Sequence, residues 1–145
     1  MNILLSRGIL KEKPIHQVLR SYLKPHHCVV IVALSRFLNM HYTDYLEAYQ
    51  QGGAYYEKMI QSFLPYGILE SQVAWIYEAI DTKDEAIRKI KHADVIYFPG
   101  GAPDLMMQRI RKLEIVEALS DQSKIYIGSS AGAMIQCARY PISKD

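Results

Sequence analysis

The stretch of the chain with the most chemical information is Gly128-Ser129-Ser130-Ala131-Gly132, which fits the pattern G-x-S-x-G. In this pattern the central serine, here Ser130, occupies a strained turn between a strand and a helix, so that its hydroxyl projects from the backbone. Glycine suits the two flanking positions because a Cβ there would collide with neighbouring backbone. Ser130 is therefore a candidate nucleophile for acyl transfer.

The residues on either side of the pattern favour this interpretation. Ile125 and Ile127 are strand formers directly before it, and Ala133 and Met134 are helix formers directly after it. The N–H groups at the start of such a helix favour an oxyanion beside the serine, as acyl transfer requires. The alternative is a glycine-rich turn whose serine has no chemical role.

A second glycine-rich turn, Pro99-Gly100-Gly101, follows the apolar run at residues 94–98, as Ser130 follows the run at residues 124–127. If the two runs form adjacent strands, the backbone N–H groups of Gly100 and Gly101 would face Ser130. Together with the N–H of Ala131 they would form an oxyanion hole. The alternative is that the two glycines only end the strand and allow Pro103 to begin a helix.

A nucleophilic serine also requires a general base, usually a histidine that a third group orients. All five histidines precede Ser130 in the sequence, and they are His16, His26, His27, His41 and His92. His41 follows the second predicted strand at its carboxyl end, where a site in such a sheet would lie. His41 is therefore the one internal candidate for the base.

Five apolar runs alternate with helical patterns along the chain, which predicts crossover connections and a parallel sheet. The predicted strands are residues 2–5, 28–34, 72–77, 94–98 and 124–127. The expected fold class is α/β, an open doubly wound parallel sheet with helices on both faces. Ligands of such sheets bind at the carboxyl ends of the strands, where Gly101 and Ser130 both lie.

Four sequence signals predict where helices begin. Pro14 and Pro103 suit a first helical turn, Thr43 suits an N-cap, and Thr82-Lys83-Asp84-Glu85 is a capping box. The helix after Thr43 is long and is interrupted by Gly52-Gly53, which indicates a kink or a break.

Composition argues against several classes of function. The 145 residues suit one domain, and the net charge of +2 with interspersed acids and bases gives no electrostatic footprint for nucleic acid. The five tyrosines between residues 42 and 56 are accordingly expected in the core and at its rim, not as a platform for stacked bases. The longest basic cluster, Arg109 with Arg111 and Lys112, is expected on a solvated helix face.

The two cysteines and the apolar segments indicate the cellular compartment of the protein and whether it binds a cofactor. Cys28 and Cys137 lack the spacing of a metal site or a redox pair, and both are expected to be buried thiols. The sequence shows neither a signal-peptide pattern nor an apolar run long enough to span a membrane. We therefore expect a cytoplasmic protein that uses no metal and no other cofactor, with no membrane or nucleic-acid partner.

Two motifs in the second half of the chain occur as a pair. The segment Tyr97-Phe98-Pro99-Gly100-Gly101-Ala102-Pro103 with Leu105 is followed by Ile125-Tyr126-Ile127-Gly128-Ser129-Ser130-Ala131-Gly132-Ala133. Together they resemble the peptidase E and cyanophycinase family of serine peptidases, over about the last fifty residues. The resemblance implies the class I glutamine amidotransferase-like fold, which is flavodoxin-like.

The resemblance also implies roles for individual residues. Ser130 would be the nucleophile, and Gly101 and Ala131 would be oxyanion donors. An acidic residue is expected shortly after the nucleophile helix, where Asp145 stands, and a histidine beyond the end of this chain. Residues 1–145 are accordingly expected to form a single α/β domain that lacks the C-terminal part of the family domain. The sequence departs from the family pattern in the position of this histidine and at Ala102, where the family often has asparagine. Amidotransferases of the same fold have a cysteine at the position of Ser130, and the serine argues against glutaminase chemistry.

The leading hypothesis is therefore a serine-type peptidase that hydrolyses small peptides through Ser130. The alternative is a catalytically inactive, shortened homologue that acts as a binding or dimerisation module. A sheet edge left unpaired in a shortened chain predicts a homo-oligomer. A third possibility, an α/β-hydrolase esterase, requires an extended His-Gly-Gly-Gly oxyanion loop, which Pro99-Gly100-Gly101 does not provide.

Overall fold

A five-stranded parallel sheet forms the centre of the molecule, whose computed structural model describes residues 1–8 and 10–139. The sheet confirms the predicted doubly wound α/β fold, with the spatial order β1-β5-β4-β2-β3. The strands are β1 (Asn2–Leu5), β2 (Val29–Ala33), β3 (Val73–Tyr77), β4 (Val95–Phe98) and β5 (Ile125–Ser129).

The connections between the strands carry the helices. These are α1 (Lys13–Leu19), α2 (Tyr42–Tyr49), α3 (Ala54–Phe63), α4 (Lys83–His92), α5 (Pro103–Lys112) and α6 (Ala131–Met134). As predicted, Pro14 and Pro103 lie in the first turns of their helices, and Thr82 and Glu85 form a capping box at the start of α4. None of the helices in the described part of the chain is long and apolar enough to cross a membrane.

The helix after β2 differs from the sequence prediction at its start and agrees with it at the two glycines. Its N-cap is His41, not Thr43, so the helix begins two residues earlier than expected. Gly52-Gly53 breaks the helix into α2 and α3, which is one of the two alternatives that the sequence predicts. Gly52 has a φ of +88°, and a Cβ at Gly53 would lie 2.2 Å from the carbonyl oxygen of Glu47. The two glycines thus allow the chain between α2 and α3 to turn sharply and to pack closely against the backbone of α2.

Apolar side chains cover both faces of the sheet. In β2, which is buried along its whole length, Val29, Ile31 and Ala33 pack in one cluster with residues of α1, α2 and α3. Val30 and Val32 pack in the other cluster with residues of α4 and α5. This two-sided burial is the reason that the strand reads as one continuous apolar run.

The tyrosines of α2 and α3 lie in the first cluster and at its rim, as predicted. Tyr45 and Tyr56 are buried, and Tyr42, Tyr49 and Tyr55 pack against them. The prediction for the cysteines is wrong for Cys137, which is exposed, whereas Cys28 is half-buried; both are free thiols. Cys137 lies three residues beyond the end of the short α6 and so outside the packed part of that helix.

The strand order brings three chain segments to one edge of the sheet. β4 lies between β2 and β5, with Tyr97 in register with both Ile31 and Ile127. The residues that follow these three strands therefore lie beside one another at their carboxyl ends. This is the edge at which open α/β sheets bind ligands.

Candidate active site

Ser130 occupies a strained backbone position between β5 and α6. Its φ is 51° and its ψ is −115°, a conformation that costs a residue with a side chain about 1–3 kcal/mol. Its N–H donates to the carbonyl of Leu5 at 2.9 Å, and its own carbonyl accepts from the N–H groups of Ala133 and Met134 at 2.9 and 3.0 Å. The residue is exposed, and its side chain makes no capping hydrogen bond to α6. The backbone is thus fixed while the residue remains accessible to solvent.

The glycines on either side of this turn are in direct contact with other backbone. A Cβ at Gly128 would lie 2.1 Å from the carbonyl oxygen of Gly132. A Cβ at Gly132 would lie 2.0 Å from the carbonyl oxygen of Phe98. Both distances are too short for any side chain, so the approach of α6 to β4 and β5 requires glycine at both positions.

The neighbouring serine, Ser129, is in a different environment. It is 4% exposed, and its Oγ accepts a hydrogen bond from the hydroxyl of Tyr97 at 3.0 Å. Burial raises the pKa of Tyr97, so its hydroxyl remains protonated and able to donate. Of the two serines, only Ser130 is accessible to a substrate.

The structure brings Gly100 and Ser130 together. β4 and β5 are adjacent, with Phe98 in register with Gly128, so the turns that follow them lie side by side. A Cβ at Gly100 would lie 3.5 Å from the Cβ of Ser130, which is ordinary van der Waals contact. The glycine turn after β4 therefore forms one wall beside the exposed serine.

Ser35 follows β2, which lies on the other side of β4 from β5, and it is hydrogen-bonded to this glycine turn. Its Oγ donates to the carbonyl of Gly100 at 2.7 Å, and its carbonyl accepts from the N–H of Ala102 at 2.9 Å. Between them, Gly101 has a φ of +140°, and a Cβ there would lie 2.3 Å from the carbonyl oxygen of Ser35. Glycine is thus required at this position for its conformation and for space. The Ala102 N–H is engaged and has no capacity left for a ligand.

An ion cluster at the carboxyl ends of β2 and β3 holds the segment that contains Ser35. Nη1 of Arg109 donates to the carbonyls of Leu34 and Arg36 at 2.9 and 2.6 Å. Glu78 pairs with Nε of Arg109 at 3.0 Å and with Nε of Arg36 at 2.8 Å. The side chain of Arg109 is only 11% exposed, and this burial lowers its pKa. The expectation of a solvated face is therefore wrong for Arg109.

The histidines of the described residues are not bonded to the candidate nucleophile. In this part of the chain no hydrogen bond joins a histidine to Ser130. Nε2 of His16 lies 3.1 Å from the carbonyl oxygen of Pro65, and His41 is exposed at the start of α2. Asp145 lies outside the described residues. Among the described residues there is also no group of three or more His, Cys, Asp or Glu that could hold a metal ion.

Comparison with known proteins identifies relatives of the chain. The profile of Peptidase family S51 matches residues 46–144, a range that includes the Gly100 turn and Ser130. The structure is similar to a crystal structure of a candidate peptidase E protein from Listeria monocytogenes EGD-e, with 22% sequence identity and a TM-score of 0.66. The match covers 93% of this chain and 60% of that one. No protein in the curated collection matches the sequence.

Proposed function

The chain belongs to peptidase family S51, and from this membership and the geometry around Ser130 we propose that it is a serine-type hydrolase that cleaves amide bonds in small peptides. One observation carries the proposal. Ser130 is exposed at a positive φ at the carboxyl end of β5, with the glycine turn at Gly100 beside it. This arrangement supports a nucleophile elbow, in which backbone strain holds a serine hydroxyl out toward the substrate.

In the proposed mechanism Ser130 Oγ attacks the carbonyl carbon of the substrate amide. The carbonyl oxygen becomes an oxyanion, which the N–H groups of Gly101 and Ala131 stabilise, while Gly100 forms the wall between the oxyanion and β4. Support for these donors comes from position: Ala131 begins α6, and Gly101 follows Gly100, at which a Cβ would lie 3.5 Å from the Cβ of Ser130. One such donor contributes about a hundredfold to a thousandfold in kcat.

A histidine accepts the proton of Ser130 in this proposal. His41 is the internal candidate, since α2 begins near the carboxyl end of β2. The resemblance to peptidase E implies instead a histidine further along a longer chain, with Asp145 as the group that orients it. The chain spans 60% of the length of the Listeria protein.

The cytoplasm is the proposed compartment, and the free thiols of both cysteines support it.

Hydrolysis of a dipeptide and tripeptide library, followed by the appearance of new amino groups, tests the proposal. We expect turnover by the wild-type chain, loss of turnover in Ser130→Ala, and retention in the matched variant Ser129→Ala, because the Ser129 hydroxyl is buried. Turnover that persists in Ser130→Ala would overturn the assignment of the nucleophile.

A second candidate function is an inactive homologue that serves as a binding or dimerisation module. The observation that favours it is that, within residues 1–8 and 10–139, no histidine is hydrogen-bonded to Ser130. This alternative predicts that the library is not hydrolysed at all. It also predicts that peptides bind equally well to the wild type and to Ser130→Ala.

A further inference from the structure

Ser35 makes hydrogen bonds on both sides of Gly101. Its hydroxyl donates to the carbonyl of Gly100 at 2.7 Å, and its carbonyl accepts from the N–H of Ala102 at 2.9 Å. The residue is 2% exposed, so water has little access to replace the hydroxyl if it is removed. Ser35 thus fixes the two peptide groups that adjoin Gly101.

The bond to the Gly100 carbonyl also fixes the direction of the Gly101 N–H. These two groups belong to one peptide unit, and in a planar trans peptide the C=O and the N–H point in opposite directions. The described residues contain no cis peptide bond. Because the Gly100 carbonyl points at Ser35, the Gly101 N–H points away from Ser35 and is left for another acceptor.

A Gly-Gly peptide needs such a restraint. Glycine adopts positive and negative φ with little difference in energy, so the plane between Gly100 and Gly101 has little intrinsic preference for one orientation. Ser35 itself is restrained, because Arg109 donates to the carbonyls of the residues directly before and after it, Leu34 and Arg36. The restraint therefore passes from the ion cluster through Ser35 to the glycine turn.

We propose that Ser35 is a positioning residue that holds the Gly101 N–H in the direction required to donate to the oxyanion formed at Ser130. This inference rests on the proposed function and adds to it a residue on a third strand. In the hydrolysis reaction Ser35 acts through Gly101 and does not touch the substrate. Its loss should therefore lower kcat and leave KM nearly unchanged, since an oxyanion forms only after attack.

The test compares Ser35→Ala with a matched control, Ser62→Ala. Ser62 is 4% exposed and its hydroxyl donates to the carbonyl of Lys58 at 2.7 Å, so the control loses a similar bond in α3. A fluorophosphonate probe, whose phosphoryl oxygen occupies the oxyanion position, reports the rate of modification of Ser130. We expect this rate to fall about tenfold or more in Ser35→Ala and to stay unchanged in Ser62→Ala.

A second readout, the amide resonances of Gly101 and Ala102 in ¹⁵N-labelled protein, does not depend on catalysis. Both resonances should shift in Ser35→Ala and stay in place in Ser62→Ala. Ser35→Cys keeps the shape of the side chain, with a somewhat larger atom and a weaker donor. If Ser35→Ala does not fold, the probe rate and the amide resonances of Ser35→Cys test the inference instead.

The outcomes separate this inference from the proposed function. A wild-type chain that the probe does not modify contradicts the proposed function, and the amide resonances alone then decide whether Ser35 orients the glycine turn. Modification of Ser130 at equal rates in the wild type and the Ser35 variants would overturn the inference and leave the proposed function standing. Unchanged Gly101 and Ala102 resonances in those variants would also overturn it.

Discussion

Gly132 packs directly against the carbonyl of Phe98, and a Cβ at Gly132 would lie 2.0 Å from that oxygen. This contact joins the helix that follows Ser130 to the strand that precedes Gly100. It therefore sets the separation between the exposed serine and the glycine turn beside it. The candidate site depends on this close approach of two backbone segments as much as on any side chain.

Gly132→Ala should destabilise the fold by about 2 kcal/mol or more, because neither the Phe98 carbonyl nor α6 can move away without cost. The control is Gly8→Ala, since a Cβ at Gly8 would lie 3.6 Å from the nearest atom, the Tyr97 hydroxyl. Urea denaturation of the two variants measures the effect. Equal free energies of unfolding for Gly132→Ala and Gly8→Ala would refute this account of the turn.

Replacement of Ser130 by glycine should stabilise the protein relative to replacement by alanine, by about 1 kcal/mol, because glycine tolerates a positive φ. At Ser129, a strand residue, the order should reverse, with Ser129→Gly less stable than Ser129→Ala. Thermal unfolding of the four variants gives the comparison. A Ser130→Gly variant that is no more stable than Ser130→Ala would show that Ser130 is not strained.

Arg109→Gln should cost about 2–3 kcal/mol, because it leaves the carbonyls of Leu34 and Arg36 without their donor and Glu78 with one of its two cationic partners. Arg111→Gln changes an exposed residue of the same helix and should have an effect within about 0.5 kcal/mol. Denaturant midpoints of the two variants measure the difference. A small effect at both positions would mean that the ion cluster does not stabilise the fold.

Tyr45 should make the stability sensitive to alkaline pH. Its hydroxyl donates to the carbonyl of Ala33 at 2.6 Å and accepts from the N–H of Glu78 at 3.1 Å, and burial raises its pKa well above the usual 10.0. Because the folded state binds this proton more tightly than the unfolded state, its contribution is fully present below about pH 10 and is lost as the pH rises further.

The Tyr45→Phe variant tests this dependence. It should be less stable than the wild type at pH 7 by about 1–2 kcal/mol, and it should lose less stability than the wild type above pH 10. Tyr22→Phe is the control, because Tyr22 is 46% exposed. Free energies of unfolding between pH 7 and 11 give the answer, and parallel curves for the wild type and Tyr45→Phe would contradict it.

The sequence predicts the part of the site that depends on local chemistry. The apolar run before Ser130 and the glycines around it identify a strand, a sharp turn and a helix, because each residue restricts the backbone at its own position. For the same reason the capping box at Thr82 and the start of α5 at Pro103 are correct. These features need no knowledge of which strands are neighbours.

The contacts of Ser35, Glu78 and Arg109 were not predictable in this way. Ser35 reaches Gly100 only because β2 lies next to β4, and the order of strands is a property of the whole fold. Charge pattern alone places Arg109 with its basic neighbours on a solvated face. The pattern cannot reveal its burial, because the partners of Arg109 are backbone carbonyls and a glutamate 31 positions earlier in the sequence. One signal was present: Ser35 and Glu78 closely follow β2 and β3, at the edge where ligands bind.

The most direct test of the central claim, that Ser130 is an activated nucleophile, is intact-mass analysis of the 145-residue chain after treatment with a fluorophosphonate. We expect a single adduct on Ser130 that is absent in Ser130→Ala and present in Ser129→Ala. A wild-type chain that forms no adduct, or an adduct that persists in Ser130→Ala, would contradict it.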